Sequence, residues 1–561
     1  GCSSRVRTDF RVFNLPRFLG FLGLLVALAT PAAHAQESAP PWADWRTLET
    51  PHYRVHYPLP WEDWSRHAAA RLESIRTAVI AEVGYEPPER VDVLVADPEA
   101  APNGSAWPFL GSPRLILWTT PPTPESGLGH YQDWSEILVV HEQAHLVHLL
   151  RPSRNPTRQK LARALPLGPL SLSAPRWVTE GYATLIEGRL TGSGRPNGSL
   201  RAAVLRQWAR AGKLPSYDQL SAANDTWFSG SMAYLAGSAY LEWLEARAGA
   251  GSLKNLWARM SARESRSFDQ SFEGVFGDSP RDLWDRFRVE LSARAIRFED
   301  QLTPLRREGE LFQDLARTVG APAVSPDGSL VAVARTFVDA PAELTVWETA
   351  TDLEAAEKNE KKRAEILAKD PEDVLAVRSG PLTRKPKHRL VGRDGLAPTM
   401  PRFLPNGQEI LFVQWTPDAA GTRHPDLYRW TLESGAVERL TFGADLRSAD
   451  PTPDGTSAVA VRSRYGKTAI VTVNLASKEI REITAPSIET PVDAPRFSPD
   501  GAQIAFTSDR GGNENIWIMD ADGENQRRVT PEAGQFVTWS PDGRYLIYLQ
   551  DRGGDENLTS H

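Results

Sequence analysis

The stretch PRFSPDGAQIAFTSDRGGNENIWIMDADG, residues 495–523, with RRVTPE following at 527–532, decides the fold of half this chain. Short apolar alternations are separated by Gly, Asp and Asn, the pattern of four strands joined by turns, with Asp-Gly supplying tight hairpin geometry. The Ser-Pro-Asp-Gly signature, or a close variant, recurs at Ser325–Gly328, Leu404–Gly407, Thr452–Gly455, Ser498–Gly501 and Ser540–Gly543. Its third residue falls at 327, 406, 454, 500 and 542, giving intervals of 79, 48, 46 and 42 residues. The last three intervals suit a four-stranded propeller blade.

The long first interval contains DLEAAEKNEKKRAEILAKD at 352–370, a charged helical stretch with Glu354, Glu357 and Glu365 each four residues before a Lys. It reads as an insertion within the first blade, near 350–388, and as a solvated helix. Asp509-Arg-Gly-Gly returns at Asp551, in phase with the repeat. These motifs resemble the TolB-like propeller repeat (WD-type, PD40) across most of residues 310–558. The resemblance implies an all-β propeller of about five blades over 306–561, and a surface for a protein partner. The fifth unit stops at DENLTSH, about half a blade short, so an open or partial propeller is expected.

Upstream the texture is helical, from Trp42 to about Leu302, and SPRDLWDRFRVELSARAIRF at 279–298 reads as its closing helix. Within it lies HEQAH, residues 141–145. On a helix, His141 and His145 sit one turn apart on one face with Glu142 beside them, which suits a zinc ion and the base acting on its water. Asp133 or Ser135 is the expected cap. The apolar run Ile137–Val140 and the later Leu146, Val147, Leu149 and Leu150 make the helix apolar on several faces and buried. Buried imidazoles and a carboxylate require satisfaction, and a metal ion provides it.

Catalytic zinc usually takes three protein ligands. PRWVTEGYATLIEG at 175–188 reads as a second helix, and its Trp177, Glu180, Gly181 and Ala183 resemble the Trp-x-x-Glu-Gly-x-Ala setting of gluzincin zinc peptidases. That resemblance implies Glu180 as the third ligand and Glu142 as general base. Glu187, two turns after Glu180, falls on the same face; it is placed either to orient a ligand or as an exposed helix-end glutamate. His148 lies too far along the helix to converge with His141, and reads as core or as support for a ligand. Tyr234-Leu-Ala-Gly237 resembles the Tyr-x-x-Gly helix of gluzincin aminopeptidases, which implies Tyr234 as the oxyanion partner, with Tyr240 the competitor.

The resemblance has a gap. No Gly-x-Met-Glu-Asn loop precedes His141, so aminopeptidase specificity does not carry over, and the pattern is closer to peptidase-MA-like domains of bacterial secreted proteins. In its place stands NGSAWPFLGSPRLILW, 103–118, where RLILW reads as a strand able to pair with an extended peptide. No Gly-x-Ser-x-Gly elbow is present, so a prolyl-oligopeptidase reading fails.

Arg5, Arg7, Arg11 and Arg17 precede an apolar run from Phe18 to Ala29, and Ala33-His-Ala35 offers a cleavage site. Residues 1–35 therefore read as a signal peptide, with export to the periplasm or medium and no membrane span in the mature chain. The single cysteine, Cys2, leaves with it, so no disulfide is expected. A net charge of -7 and a pI near 6.0 argue against nucleic acid, and the basic run Arg384–Arg389 reads as an exposed loop. The expected organisation is multidomain: a mainly helical α+β zincin-like metallopeptidase domain over 36–305, then the propeller. The expected function is an exported Zn2+ peptidase acting on a peptide or protein. The competing reading is a non-catalytic envelope protein in which the same scaffold survives and the propeller binds a protein.

Overall fold

The computed structural model describes residues 42–123, 126, 128, 131–222, 230–302, 312–313, 315, 318–337, 339–350, 352–373, 384–510, 514–531 and 533–550. The expected leader at 1–35, Cys2 and the repeat at Asp551 lie outside them. Among the described residues no helix is long and apolar enough to cross a membrane.

The first architecture begins with a mixed sheet of β1 (Trp45–Glu49), β2 (Tyr53–Pro58), β3 (Val91–Ala96), β4 (Gly104–Trp107) and β5 (Arg114–Trp118), in the order β1-β2-β3-β5-β4. β2, β3 and β5 run parallel, with β1 and β4 antiparallel at the two edges. The parallel step from β2 to β3 needs a crossover, supplied by the helix Glu62–Val83, which Gly84 closes in the left-handed region at φ 72°. The RLILW segment is β5, and β3 and β4 pair with both of its edges, so it cannot accept a further strand. The turn through Gly111 folds the chain back so that β4 covers β5, and among the described residues the outer side of β4 is a free edge, as is that of β1 at the other end.

The HEQAH helix spans Trp134–Leu149. Asp133 caps it by accepting the backbone N–H of Glu136 at 3.2 Å, and Ser135 supports the cap by donating to Asp133 at 2.7 Å. The helix packs against β4, β5, the helix Glu62–Val83 and the Glu180 helix, Arg176–Thr191. One buried apolar cluster unites the sheet and these helices as far as Ala295. The closing helix Pro280–Leu302 ends this region.

From Thr318 the chain is a succession of antiparallel sheets. The second is formed by Thr399–Phe403, Glu409–Pro417, Arg423–Thr431 and Val437–Arg439, the third by Leu446–Pro451, Ser457–Arg464, Lys467–Asn474 and Ile480–Glu482. The fourth contains Val492–Phe497, Gln503–Ser508, Asn515–Asp520 and Arg527–Arg528, and the last described sheet pairs Gln535–Trp539 with Leu546–Leu549. The first uses Leu330–Thr336, Glu343–Glu348 and His388–Val391, plus two short segments, Thr318–Val319 and Ala323–Val324, that share one strand position. The charged helix Leu353–Lys369 sits between its strands Glu343–Glu348 and His388–Val391, within the first blade.

The repeat has a physical explanation at its turns. Ser325, Thr452 and Ser540 donate their hydroxyls to Asp327, Asp454 and Asp542 at 2.6 Å, and the following glycines take φ between 69° and 72°. The prolines of one blade's turn pack where a side chain on the next blade's glycine would begin: Pro405 Cδ lies 3.3 Å from that position at Gly455, and Pro453 Cδ 3.5 Å from it at Gly501. A second periodic feature lies in the strand before each turn. Met400, Ser448, Ala494 and Phe536 all take left-handed φ between 49° and 55°, and each marks a break in strand register.

Candidate metal centre

Three side chains from two helices converge. His141 Nε2 and His145 Nε2 are 3.2 Å apart, His145 Nε2 is 3.1 Å from Glu180 Oε2, and His141 Nε2 is 3.8 Å from the same oxygen. The pairing follows from helical spacing, which points residues 141 and 145 the same way, toward the crossing Glu180 helix. The three ligand atoms all lie within 4.8 Å of one another, and no other such group occurs among the described residues.

Two glycines make this approach possible. A Cβ on Gly181 would stand 2.6 Å from the backbone carbon of Gly237, and one on Gly237 would stand 2.4 Å from the carbonyl oxygen of Trp177. The Glu180 helix and the helix Ser231–Ala248 therefore cross backbone to backbone. Glu180 immediately precedes one glycine and Tyr234 lies one turn before the other, so the crossing delivers both to one cleft. The Tyr234 ring stacks on His141, with centroids 6.0 Å apart and planes inclined by 22°. Tyr240, the competitor, is fully buried elsewhere: its hydroxyl donates to the Pro280 carbonyl at 2.8 Å.

Glu187 is a buried carboxylate, 1% exposed, facing His141 Nδ1 at 3.1 Å. Its other partner is Arg195, whose backbone N–H donates to Oε1 at 2.8 Å and whose guanidinium lies 3.2 Å from Oε2. The Arg195 guanidinium also lies 4.5 Å from the Tyr234 ring centre. Arg195 was not legible in the sequence, because a lone arginine in a Gly-Arg-Pro turn has no periodicity. The one signal was indirect, since a buried Glu187 beside other acids calls for a cation. His148 is core, wedged between Tyr182 and Trp257 with ring centres 4.8 and 4.2 Å away. Burial pushes its imidazole well below the usual histidine range.

Glu142 faces the cleft beside the free edge strand, and a Cβ on Gly104 would stand 2.9 Å from its Oε1. Burial pushes the Glu142 carboxyl up, the direction that suits a base working near neutrality. Burial pushes the Glu180 carboxyl up as well, but His145 and His141 outweigh it and hold the group well below the usual range. Burial, with Glu180 adding to it, pushes the Tyr234 phenol up to about 12, so it keeps its proton at neutral pH. The cleft has a volume of about 280 Å³, walled by Asn103, Gly104, Ser105 and Ala106 on one side and by His141, Glu180 and Tyr234 on the other.

Comparison with known proteins bears on the other half of the chain. Residues 486–560 match the sequence model of the TolB beta propeller domain, PD40. Among solved structures, a TolB-type protein from Agrobacterium tumefaciens aligns at 18% identity over 42% of this chain and 70% of that one, with a TM-score of 0.32. TolB from Acinetobacter baumannii aligns at 21% identity over 42% of this chain and 50% of that one, TM-score 0.31. A puromycin hydrolase aligns at 15% identity over 42% and 34%, TM-score 0.26. The chain thus spans half the length of the second of these proteins and about a third of the third.

Proposed function

We propose that the chain is an exported zinc-dependent peptidase, gluzincin-like and of zincin-like fold, in which His141, His145 and Glu180 hold the metal and the propeller binds substrate or a protein partner. The observation that carries this is the spacing of the donor atoms. Ligands held at about 2.0–2.1 Å around a tetrahedral Zn2+ stand about 3.3 Å from one another, and the three separations here are 3.1, 3.2 and 3.8 Å. Two imidazoles and one carboxylate are the donor types zinc favours. Glu187 supports the same reading: its carboxylate faces Nδ1, and by accepting a hydrogen bond from that nitrogen it would leave the Nε2 lone pair of His141 turned inward.

Bound there, zinc supplies a Lewis acid and brings the pKa of water toward about 7. The residues of the chain do the rest. An extended peptide pairs with the free edge of β4, next to Glu142. The Glu142 carboxylate takes a proton from water and returns it to the leaving amine. The Tyr234 hydroxyl, protonated at neutral pH, donates to the carbonyl oxygen as charge develops on it. Arg195 holds Glu187 in place, and Glu187 holds the His141 ring.

The test is metal analysis of the purified chain together with a chelator-sensitive peptide-cleavage assay on wild type and Glu142→Gln. One equivalent of zinc in both, with cleavage reduced by a factor on the order of 10²–10⁴ in the variant, is expected. Undiminished cleavage in Glu142→Gln would overturn the assignment of the base. A wild type with neither zinc nor cleavage would favour the scaffold reading.

A further inference from the structure

The wall of the cleft is held from the propeller. Asp97, at the end of β3, accepts from both Thr120 N–H and its hydroxyl at 2.7 and 2.6 Å, and from the Thr119 hydroxyl at 3.0 Å. This knot ties together the starts of two loops that leave the sheet toward the cleft. Both loops then rest on the propeller. The Pro98 carbonyl accepts the backbone N–H of Arg423 at 2.8 Å, the Ala100 carbonyl accepts the indole N–H of Trp415 at 3.2 Å, and the Pro121 carbonyl accepts from Arg447 at 2.9 Å.

Ala100 is the informative residue. Its φ of 45° is left-handed, which an alanine adopts only under constraint. The constraint is the pair of propeller hydrogen bonds at Pro98 and Ala100, aided by a bond from the Ala101 N–H to Asp97. Four residues later the chain reaches Gly104, which has no room for a side chain against Leu138 and Glu142. Asn103 stitches the same point to β5 by accepting the Trp118 N–H at 3.1 Å. Five residues thus connect a propeller tryptophan to the candidate base.

We propose that the Trp415–Arg423 hairpin of the second blade is a clamp on the cleft wall, and that Trp415 is a positioning residue which sets β4 against Glu142. It deepens the peptidase reading, but its structural half stands without it. Release of the clamp lets Ala100 leave the left-handed region and frees β4 to drift from Glu142, so a ligand pulling on this hairpin changes the cleft.

Trp415→Phe removes the indole donor and keeps a ring in place. The test is backbone hydrogen exchange on the full chain, with zinc content and peptide kinetics measured alongside. Exchange across residues 98–107 is expected to rise by about 5-fold, the equivalent of one lost hydrogen bond, while the HEQAH helix stays protected and zinc content is unchanged. KM for an extended peptide is expected to rise by a similar factor, with kcat changed less than about twofold. Unchanged exchange over 98–107 overturns the clamp, and so does lost protection in the second blade that spares 98–107. Trp415→Met, which likewise carries no donor and packs adaptably, takes its place should the first variant not fold. A wild type that does not cleave peptides defeats the peptidase reading but leaves the exchange result to decide the clamp.

Discussion

Glu187 shows how one side chain links charge, geometry and chemistry. A carboxylate 1% exposed is costly unless paired, and here it answers to a guanidinium, a backbone N–H and an imidazole together. Burial pushes its pKa up, but Arg195 and His141 outweigh that and keep it lowered, so it is an anion at neutral pH. On the proposed reading, such a group, by accepting from Nδ1–H, would leave Nε2 of His141 for the metal. Glu187→Gln keeps the shape and removes the charge. Zinc affinity, measured by competition with a chelator, is expected to fall by about 10–100-fold; unchanged affinity would remove Glu187 from this role.

At the scale of elements, the crossing of the helices Arg176–Thr191 and Ser231–Ala248 is what makes a site out of separate motifs. The contact is backbone on backbone, so nothing flexible can yield to a new methyl group. Gly181→Ala places a Cβ 2.6 Å from the Gly237 carbonyl carbon and 2.8 Å from Ser238 N. The helices must separate, and a loss of about 1–3 kcal/mol is expected, read as a lower urea midpoint at constant slope. Gly181 lies inside a right-handed helix, where alanine is otherwise favoured over glycine by about 1 kcal/mol, so a loss of stability there reports the clash. A Gly181→Ala midpoint equal to wild type would mean that the crossing is not tight in solution.

For the whole molecule, the face where the propeller meets the helical region carries acids that ionise late. Burial, then the neighbouring Glu514, pushes Asp509 up to about 8, with Asp133 of the HEQAH cap adding to it and Arg510 opposing. Burial also pushes Glu514 up to about 7. An acid whose pKa is raised on folding binds more protons folded than unfolded between its two pKa values. Stability therefore falls as pH rises from about 4 toward about 8, and levels off above that. Asp509→Asn removes this penalty, so its thermal midpoint should exceed that of wild type at pH 8 and approach it at pH 5. Parallel melting profiles at the two pH values would show that Asp509 is not the titrating group.

Local rules make much of this fold legible in the sequence. The Pro-Asp-Gly period marks real turns because proline, aspartate and glycine each answer a local demand of backbone angle or hydrogen bonding, and HEQAH marks a helix face because three and four residue spacings are fixed by the helix itself. The gluzincin resemblance paired Glu180 and Tyr234 with that helix, and the glycines beside them, Gly181 and Gly237, explain why they arrive together. Other features depended on what the chain folds against. RLILW reads as a free strand until β4 returns to cover it, Arg195 has no pattern until Glu187 is buried beside it, and Ala100 is an ordinary alanine until the propeller bends it. Periodicity, capping and turn chemistry are properties of neighbouring residues, so the sequence alone determined the repeat, the helix and its histidines. Edge exposure, charge burial and backbone strain are set by partners distant in the chain, 315 positions apart for Ala100 and Trp415, and only the tertiary structure decided those.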